Sequence, residues 1–169
     1  MLAPAAVEAD VRAAALAESA FGAGRPFRLF VYVTVGTGIS SCPVVDGVPF
    51  TGTHGNALVM ASGPLTSTCP ECGNRFQSVL EDFASGPALV KRYDMCRPGQ
   101  AESAEEVMSA AGDGDTVAVR VVESASEALG SSLAFLINVL DPEAVVVGGG
   151  LRLSAVCPFF RLDWVPMQD

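Results

Sequence analysis

The sequence has little of the positive charge, and none of the long apolar runs, that would connect it to nucleic acid or to a membrane. Of its 169 residues, 10 are Lys or Arg and 19 are Asp or Glu, so the formal net charge is −9. A surface this acidic repels phosphate backbones and anionic lipids. No apolar run reaches about 18 residues, and the N-terminus lacks the basic and then apolar order of a signal peptide. We therefore expect a cytoplasmic protein that by itself binds neither a membrane nor nucleic acid.

Cysteine is too sparse and too unevenly placed for a disulfide framework. The chain has five cysteines, and an odd number in a chain without a secretion signal argues against such a framework. Only Cys69 and Cys72 are close enough in sequence to be interpreted as a pair. In contrast, hydrophobic residues make up 50% of the chain and the mean hydropathy is +0.39, which is enough for a sizeable core.

The spacing of apolar residues predicts alternating strands and helices, and therefore an α/β layer architecture. An alanine-rich helix is predicted over Ala5–Phe21, and a strand that is apolar on both faces over Phe27–Val35. A hairpin over Cys42–Phe50 is predicted to turn at Asp46-Gly47. We expect the first strand and the last one to be neighbouring interior strands of one sheet. The remaining predicted elements are helices over Phe76–Phe83, Pro87–Tyr93, Ala104–Ala111 and Thr116–Leu140, and the last strand over Glu143–Val147.

A glycine-rich segment follows each of these two strands, Gly-Thr-Gly from Gly36 and Gly-Gly-Gly from Gly148. Because glycine has no Cβ, its backbone can approach an anionic group closely, and exposed amides with a hydroxyl can bind phosphate oxygens. A single loop of this kind is more often just a tight turn. Neither segment matches the P-loop pattern, since no Gly-Lys-Ser/Thr follows.

The order of the features is more specific than any one of them. A helix with Glu8 and Asp10 precedes the strand and Gly-Thr-Gly, and then come a Val-Asp-Gly hairpin, His-Gly-Asn-Ala, a cysteine-rich segment, Leu80-Glu81 and finally Val-Val-Val-Gly-Gly-Gly. This order resembles the C-terminal lobe of the ROK family. That family contains bacterial sugar kinases and sugar-responsive repressors with the actin-like ATPase (ribonuclease H-like) fold.

The resemblance ends near residue 151. Residues 152–169 contain two prolines and three aromatics and show no clear period. We therefore assign residues 1–151 to an incomplete ROK-type C-terminal lobe and residues 152–169 to an atypical tail, which suggests truncation or a shifted reading frame. The Asp-x-Gly-Gly-Thr phosphate loop of the family's N-terminal lobe does not occur in the sequence, and neither does the helix-turn-helix of the repressors.

The resemblance implies ATP-dependent phosphorylation of a hexose such as glucose, with Mg²⁺ on the nucleotide, in a homo-oligomer. It makes Asp10 both a sugar ligand and the general base that takes the proton of the attacking hydroxyl, and it makes Glu81 a second sugar ligand. The alternatives are that Asp10 only complements a helix dipole and that Glu81 is a solvated helix residue. The implied nucleotide-binding residues are Gly36, Thr37, Gly38, Gly148, Gly149 and Gly150.

Several positions depart from the family pattern around the sugar. Ala9 replaces an Asn that bonds a sugar hydroxyl, Val59 replaces a sugar-binding Glu, and Ser62 replaces a His that binds both sugar and zinc. Each lost charged hydrogen bond is worth about 1.5–3 kcal/mol. We therefore expect the isolated chain to be inactive as a hexose kinase.

The family's zinc knuckle, Cys-x-Cys-Gly-x-x-Gly-Cys, is reduced here to Cys69 and Cys72, with one more residue between them. The third thiolate and the histidine are gone, whereas structural zinc takes four ligands. We expect the structural zinc to be lost and no metal to be held. The alternative functions are a non-catalytic sugar-sensing part of a ROK repressor, or a degenerate remnant.

Overall fold

The computed structural model describes residues 8–55 and 60–153 as a layered α/β fold. The predicted first turn of the N-terminal helix, Val59 and residues 154–169 of the tail lie outside the described residues. The helices are α1 (Asp10–Phe21), α2 (Leu80–Ala84), α3 (Gly86–Asp94), α4 (Ala104–Gly112), α5 (Thr116–Leu140) and α6 (Gly150–Leu153). The strands are β1 (Leu29–Val35), β2 (Ile39–Val45), β3 (Val48–Pro49), β4 (Pro64–Thr68), β5 (Arg75–Val79) and β6 (Ala144–Gly148).

The main sheet has the strand order β3-β2-β1-β6. β1 pairs antiparallel with β2 and parallel with β6, in a register that sets Thr34 opposite Gly148. The prediction that the two strands before the glycine segments are neighbours is confirmed. The prediction that both are interior is correct for β1 and wrong for β6, which forms the edge of the sheet within residues 8–55 and 60–153.

The side chains of β1 alternate between two apolar clusters on opposite faces of the sheet, as the pleat of a strand requires. Phe30 and Tyr32 pack with Val11 and Ala15 of α1 on one face. Val31, Val33 and Val35 pack on the other face with the buried side of α2 to α5. The apolar character of both faces, from which an interior strand was predicted, thus reflects a helical layer on each side.

The helices begin at polar caps that the sequence supplies. The side chains of Ser85, Ser103 and Asp115 accept backbone N–H groups at the first turns of α3, α4 and α5. At α5, the hydrogen bonds that Asp115 accepts from the N–H groups of Ala118, the larger cause, and of Val117 hold its pKa below the ordinary value. The predicted α5 agrees with the observed helix. The observed α3 is one residue longer than predicted at each end, and α4 is one residue longer at its C-terminal end.

The predicted helix over Phe76–Phe83 is wrong in its first half. Arg75–Val79 forms β5, which pairs with β4 in a separate two-stranded ribbon, and only Leu80–Ala84 is helical. Phe76 packs edge-on against Phe83 with 5.4 Å between ring centroids, and the Arg92 guanidinium lies 3.8 Å from the centre of the Phe83 ring. The extended conformation depends on pairing with β4 across the turn of residues 69–74, which the apolar spacing within the segment does not reveal.

The predicted hairpin turn at Asp46-Gly47 is confirmed. Both residues have positive φ, +48° and +81°, as a two-residue turn between antiparallel strands requires. None of the helices in the described part of the chain combines the length and apolarity needed to span a bilayer.

Truncating the apolar side of α5 should destabilise the fold. Leu129 is 1% exposed, so we expect Leu129→Ala to lower the free energy of unfolding by about 2–5 kcal/mol. Phe135 lies on the same helix but is 67% exposed, and Phe135→Ala should change it by no more than about 0.5 kcal/mol. Urea denaturation measures both, and equal effects would contradict the packing described for α5.

Candidate functional site

The carboxyl ends of β1 and β6 open into a cavity of about 1040 Å³, at the upper end of the range for small-molecule sites. Ligands of open α/β sheets commonly bind outside the carboxyl ends of strands. The cavity brings together seven of the eight residues predicted for the site. These are Asp10, Gly36, Thr37, Gly38, Glu81, Gly149 and Gly150.

Gly148 is the predicted residue that the structure leaves outside the cavity lining. A Cβ at this position would lie 2.3 Å from the phenol oxygen of Tyr32, so glycine is needed here for packing. The triple-glycine segment therefore contains one residue that fits the sheet and two that line the cavity. Its sequence alone cannot separate these two uses.

The two glycine loops lie against each other. Gly149 has a φ of +99°, and a Cβ there would come within 2.2 Å of the carbonyl oxygen of Val35. A Cβ on Gly36 would lie 3.6 Å from the backbone nitrogen of Gly150. Because the loop after β6 crosses the end of β1 at backbone contact distance, position 149 accepts only glycine.

The Gly-Thr-Gly loop is held by backbone hydrogen bonds. Gly36 N–H donates to the carbonyl of Gly38 at 2.9 Å, and Gly86 N–H donates to the carbonyl of Gly36 at 2.8 Å. The second bond attaches the N-terminus of α3 to the loop. The two bonds thus connect the loop to itself and to α3.

Glu81 braces the same loop from α2. Its Oε2 accepts a hydrogen bond from Ile39 N–H at 2.8 Å, and a Cβ on Gly38 would approach that oxygen to 2.6 Å. The second glycine of Gly-Thr-Gly thus makes room for a carboxylate. Since a carboxylate can accept several hydrogen bonds, this contact also leaves room for a sugar hydroxyl.

Asp10 is the first residue of α1 and is exposed to the cavity. Its Oδ1 accepts the N–H of Val11 at 2.7 Å, the kind of contact that an acidic residue makes when it complements a helix N-terminus. In the same turn, Arg12 pairs with Glu8 and donates from Nη1 to the carbonyl of Gly55 at 2.9 Å. The first turn of α1 is thereby tied to the loop that precedes residues 56–59.

Sequence reasoning missed the wall that α3 and α4 contribute to the cavity. Pro87, Val90, Lys91 and Asp94 line it at the spacing of one helical face, and the start of α4 lines it next to Ser103. That spacing after a Ser cap was visible in the sequence. What it could not show is which face of α3 is turned away from the core.

Cys69 and Cys72 lie apart from the cavity, in the turn that connects β4 and β5. The N–H of Cys72 is the main cause that lowers the pKa of Cys69 below its ordinary value, with the Cys72 thiol and the N–H of Glu71 adding to it. Within residues 8–55 and 60–153, no three His, Cys, Asp or Glu side chains come together as a metal site. Two thiols do not fit a structural zinc, which takes four ligands, so its loss stays our prediction.

Comparison with known proteins identifies the family. The sequence matches the ROK family over residues 2–158. The chain belongs to the ROK family. The resemblance inferred from the order of the motifs is confirmed, whereas the division of this ROK chain at residue 151 stays a prediction.

The relatives of this ROK chain include sugar kinases. It is 34% identical over 165 residues to a glucokinase of Streptomyces coelicolor, and the match covers 88% of the chain and 52% of that enzyme. A ROK hexokinase structure from Thermus thermophilus is 32% identical with a TM-score of 0.78, covering 90% of the chain and 53% of the hexokinase.

A third relative carries ligands. The ROK glucokinase of Streptomyces griseus, solved in complex with glucose and AMPPNP, is 30% identical with a TM-score of 0.69 and is matched over 86% of the chain and 52% of its own length. These similarities confirm the actin-like ATPase fold. The chain spans about half the length of the relatives it matches.

The contact between the two glycine loops can be tested by adding one methyl group. Gly149→Ala places a Cβ against the Val35 carbonyl at positive φ, so we expect a marked loss of thermal stability and altered β1 and β6 amide resonances. In the control, Gly130→Ala, the new methyl meets nothing within 4 Å inside α5, and the variant should gain up to about 1 kcal/mol. If Gly149→Ala were as stable as the wild type, the described loop contact would be wrong.

Proposed function

We propose that this chain supplies the C-terminal half of the active site of an ATP-dependent hexose kinase. The observation that carries the proposal is the shared cavity, which Asp10, Thr37, Glu81 and Gly149 all line. The glucokinase relatives, one of them solved with glucose and an ATP analogue, support the same assignment. The cavity can hold a nucleotide and a sugar side by side.

In this proposal the nucleotide phosphates bind across the two glycine loops. Gly36, Thr37, Gly38, Gly149 and Gly150 all line the cavity. The Gly36 N–H is already donated to the Gly38 carbonyl, so the proposed phosphate ligands are the N–H groups of Thr37 and Gly38, the Thr37 hydroxyl and the loop after β6. Mg²⁺ supplies charge neutralisation on the transferring phosphoryl group when it is bound. The Thr37 hydroxyl and the carboxylates of Asp10 and Glu81 are oxygen ligands of the kind that this ion prefers.

Asp10 acts as the general base in this proposal. Its carboxylate is exposed to the cavity, so it is positioned to accept the proton of a hexose hydroxyl as that oxygen attacks the terminal phosphorus. Glu81 accepts a hydrogen bond from a second sugar hydroxyl, while the hydrogen bond that it accepts from the Ile39 N–H keeps the Gly-Thr-Gly loop in place. One carboxylate would thus connect the sugar side of the cavity to the nucleotide side.

The sugar side is the weaker half of the proposed site. Ala9, which caps α1, presents only a methyl group, and Ser62 is exposed in the short turn before β4. Neither replaces the hydrogen bonds that the family draws from Asn and His at these positions. We therefore propose that this chain binds nucleotide better than it binds sugar, and that by itself it does not phosphorylate a hexose.

A chimera tests the role of Asp10. The N-terminal half of the Streptomyces coelicolor glucokinase is fused before this chain, and Ala9→Asn, Val59→Glu and Ser62→His restore the family residues. We expect weak ATP-dependent phosphorylation of a hexose, and adding Asp10→Asn should lower kcat by about 10²–10⁴-fold because the base is lost. A coupled assay of ADP release measures both values.

The matched control for the chimera is Asp82→Asn, which removes an exposed carboxylate on α2 that does not line the cavity. This variant should keep the activity of the chimera. If the chimera and its Asp10→Asn variant were equally active, the Asp10 carboxylate would only complement the α1 dipole and would not act as a base. A chimera that folds but phosphorylates no hexose would contradict the kinase assignment.

A further inference from the structure

We infer that Lys91 binds the nucleotide phosphates and so determines the affinity of the site for the triphosphate. The inference rests on the proposed function and adds to it a residue on α3, outside both glycine loops. Lys91 is the only lysine of the chain. It is also the only basic residue among those that line the cavity in the described part of the chain.

Lys91 lies on the face of α3 that lines the cavity together with the Gly-Thr-Gly loop. The helix begins at the loop, since Gly86 N–H donates to the Gly36 carbonyl at 2.8 Å. Lys91 lies on the cavity face four residues after Pro87, about 6 Å farther along the helix axis. Helical side chains lean toward the N-terminus of their helix, so the four-carbon stem of Lys91 leans back toward Gly36.

The charges around the cavity give this ammonium a clear electrostatic role. Five carboxylates line the cavity, and a polyanionic ligand entering it would be repelled unless a cation offsets them. Among the cavity-lining residues that the structure describes, the ammonium of Lys91 is the one cation that can offset them. The five carboxylates belong to Asp10, Glu81, Asp94, Glu102 and Glu105.

Lys91 is not engaged elsewhere in the described structure. Arg12, Arg28 and Arg97 pair with carboxylates, and Arg92 donates to the Phe83 carbonyl and the Ser124 hydroxyl. No ion pair joins Lys91 to a residue of 8–55 or 60–153. The side chain is exposed, so it can bind a ligand without breaking a contact in the protein.

A competing explanation is that Lys91 only complements the C-terminal end of the α3 dipole, since it lies in the last turn. In that case, loss of the charge would lower the stability of α3, and it would affect the binding of a phosphorylated ligand and of an uncharged ligand equally. If the ammonium contacts the phosphates, its loss should weaken the binding of ATP and leave the binding of adenosine unchanged. Comparing ATP with adenosine therefore separates the two explanations.

Binding of Mg-ATP and of adenosine to the full chain is measured by isothermal titration calorimetry. Lys91→Met keeps the length of the side chain and removes the charge, and it should weaken Mg-ATP binding by about 10- to 100-fold, as expected for a charged hydrogen bond. Adenosine binding and the thermal midpoint should stay unchanged. Lys91→Arg keeps the positive charge and should therefore retain most of the wild-type affinity for Mg-ATP.

The control is Arg120→Met, which removes an exposed positive charge of α5 outside the cavity and should leave both affinities unchanged. A second readout uses the single lysine. Acetylation of Lys91 by an N-hydroxysuccinimide ester, read from the peptide mass, should be slowed by Mg-ATP and not by adenosine.

Two outcomes would overturn the inference alone. In one, Lys91→Met binds Mg-ATP as tightly as the wild type; in the other, it loses ATP and adenosine affinity equally, as a structural role predicts. Failure of the wild-type chain to bind Mg-ATP at all would instead contradict the proposed nucleotide site, and the role of Lys91 with it.

Discussion

Because β1 and β6 pair in parallel, with Thr34 opposite Gly148, the two glycine loops leave the sheet side by side at the carboxyl ends of these strands. The loop after β6 then crosses the end of β1 where only a glycine backbone fits, at Gly149. The other parts of the site attach to this junction. Helices on one face of the sheet contribute Glu81 and Lys91, and α1 on the other face contributes Asp10. The proposed chemistry thus depends on one backbone contact between two strands.

Local sequence was sufficient wherever local interactions determine the structure. The two apolar faces of β1 and the Asp46-Gly47 turn were predicted from residues within each segment, and the structure confirms both. The site residues came from their order along the chain and the family it resembles. Seven of the eight residues named in this way line one cavity, and their roles there stay predictions.

Contacts between separate elements of the fold account for what could not be predicted. The strand Arg75–Val79 depends on pairing with β4, and the bond from Ile39 to Glu81 joins residues 42 positions apart. Gly148 packs over Tyr32, which a run of three glycines does not reveal. Lys91 belongs to no motif, and it becomes a candidate only when α3 packs beside the Gly-Thr-Gly loop.

The central claim is that the junction of the two glycine loops binds the phosphates of a nucleotide. Hydrogen–deuterium exchange of the chain with and without Mg-AMPPNP tests this claim directly, because bound phosphates engage backbone amides. We expect slower exchange in peptides that contain Thr37 and Gly38 or Gly149 and Gly150, and unchanged exchange in the β4–β5 ribbon. Protection of the ribbon without protection of the glycine loops, or no protection at saturating nucleotide, would contradict it.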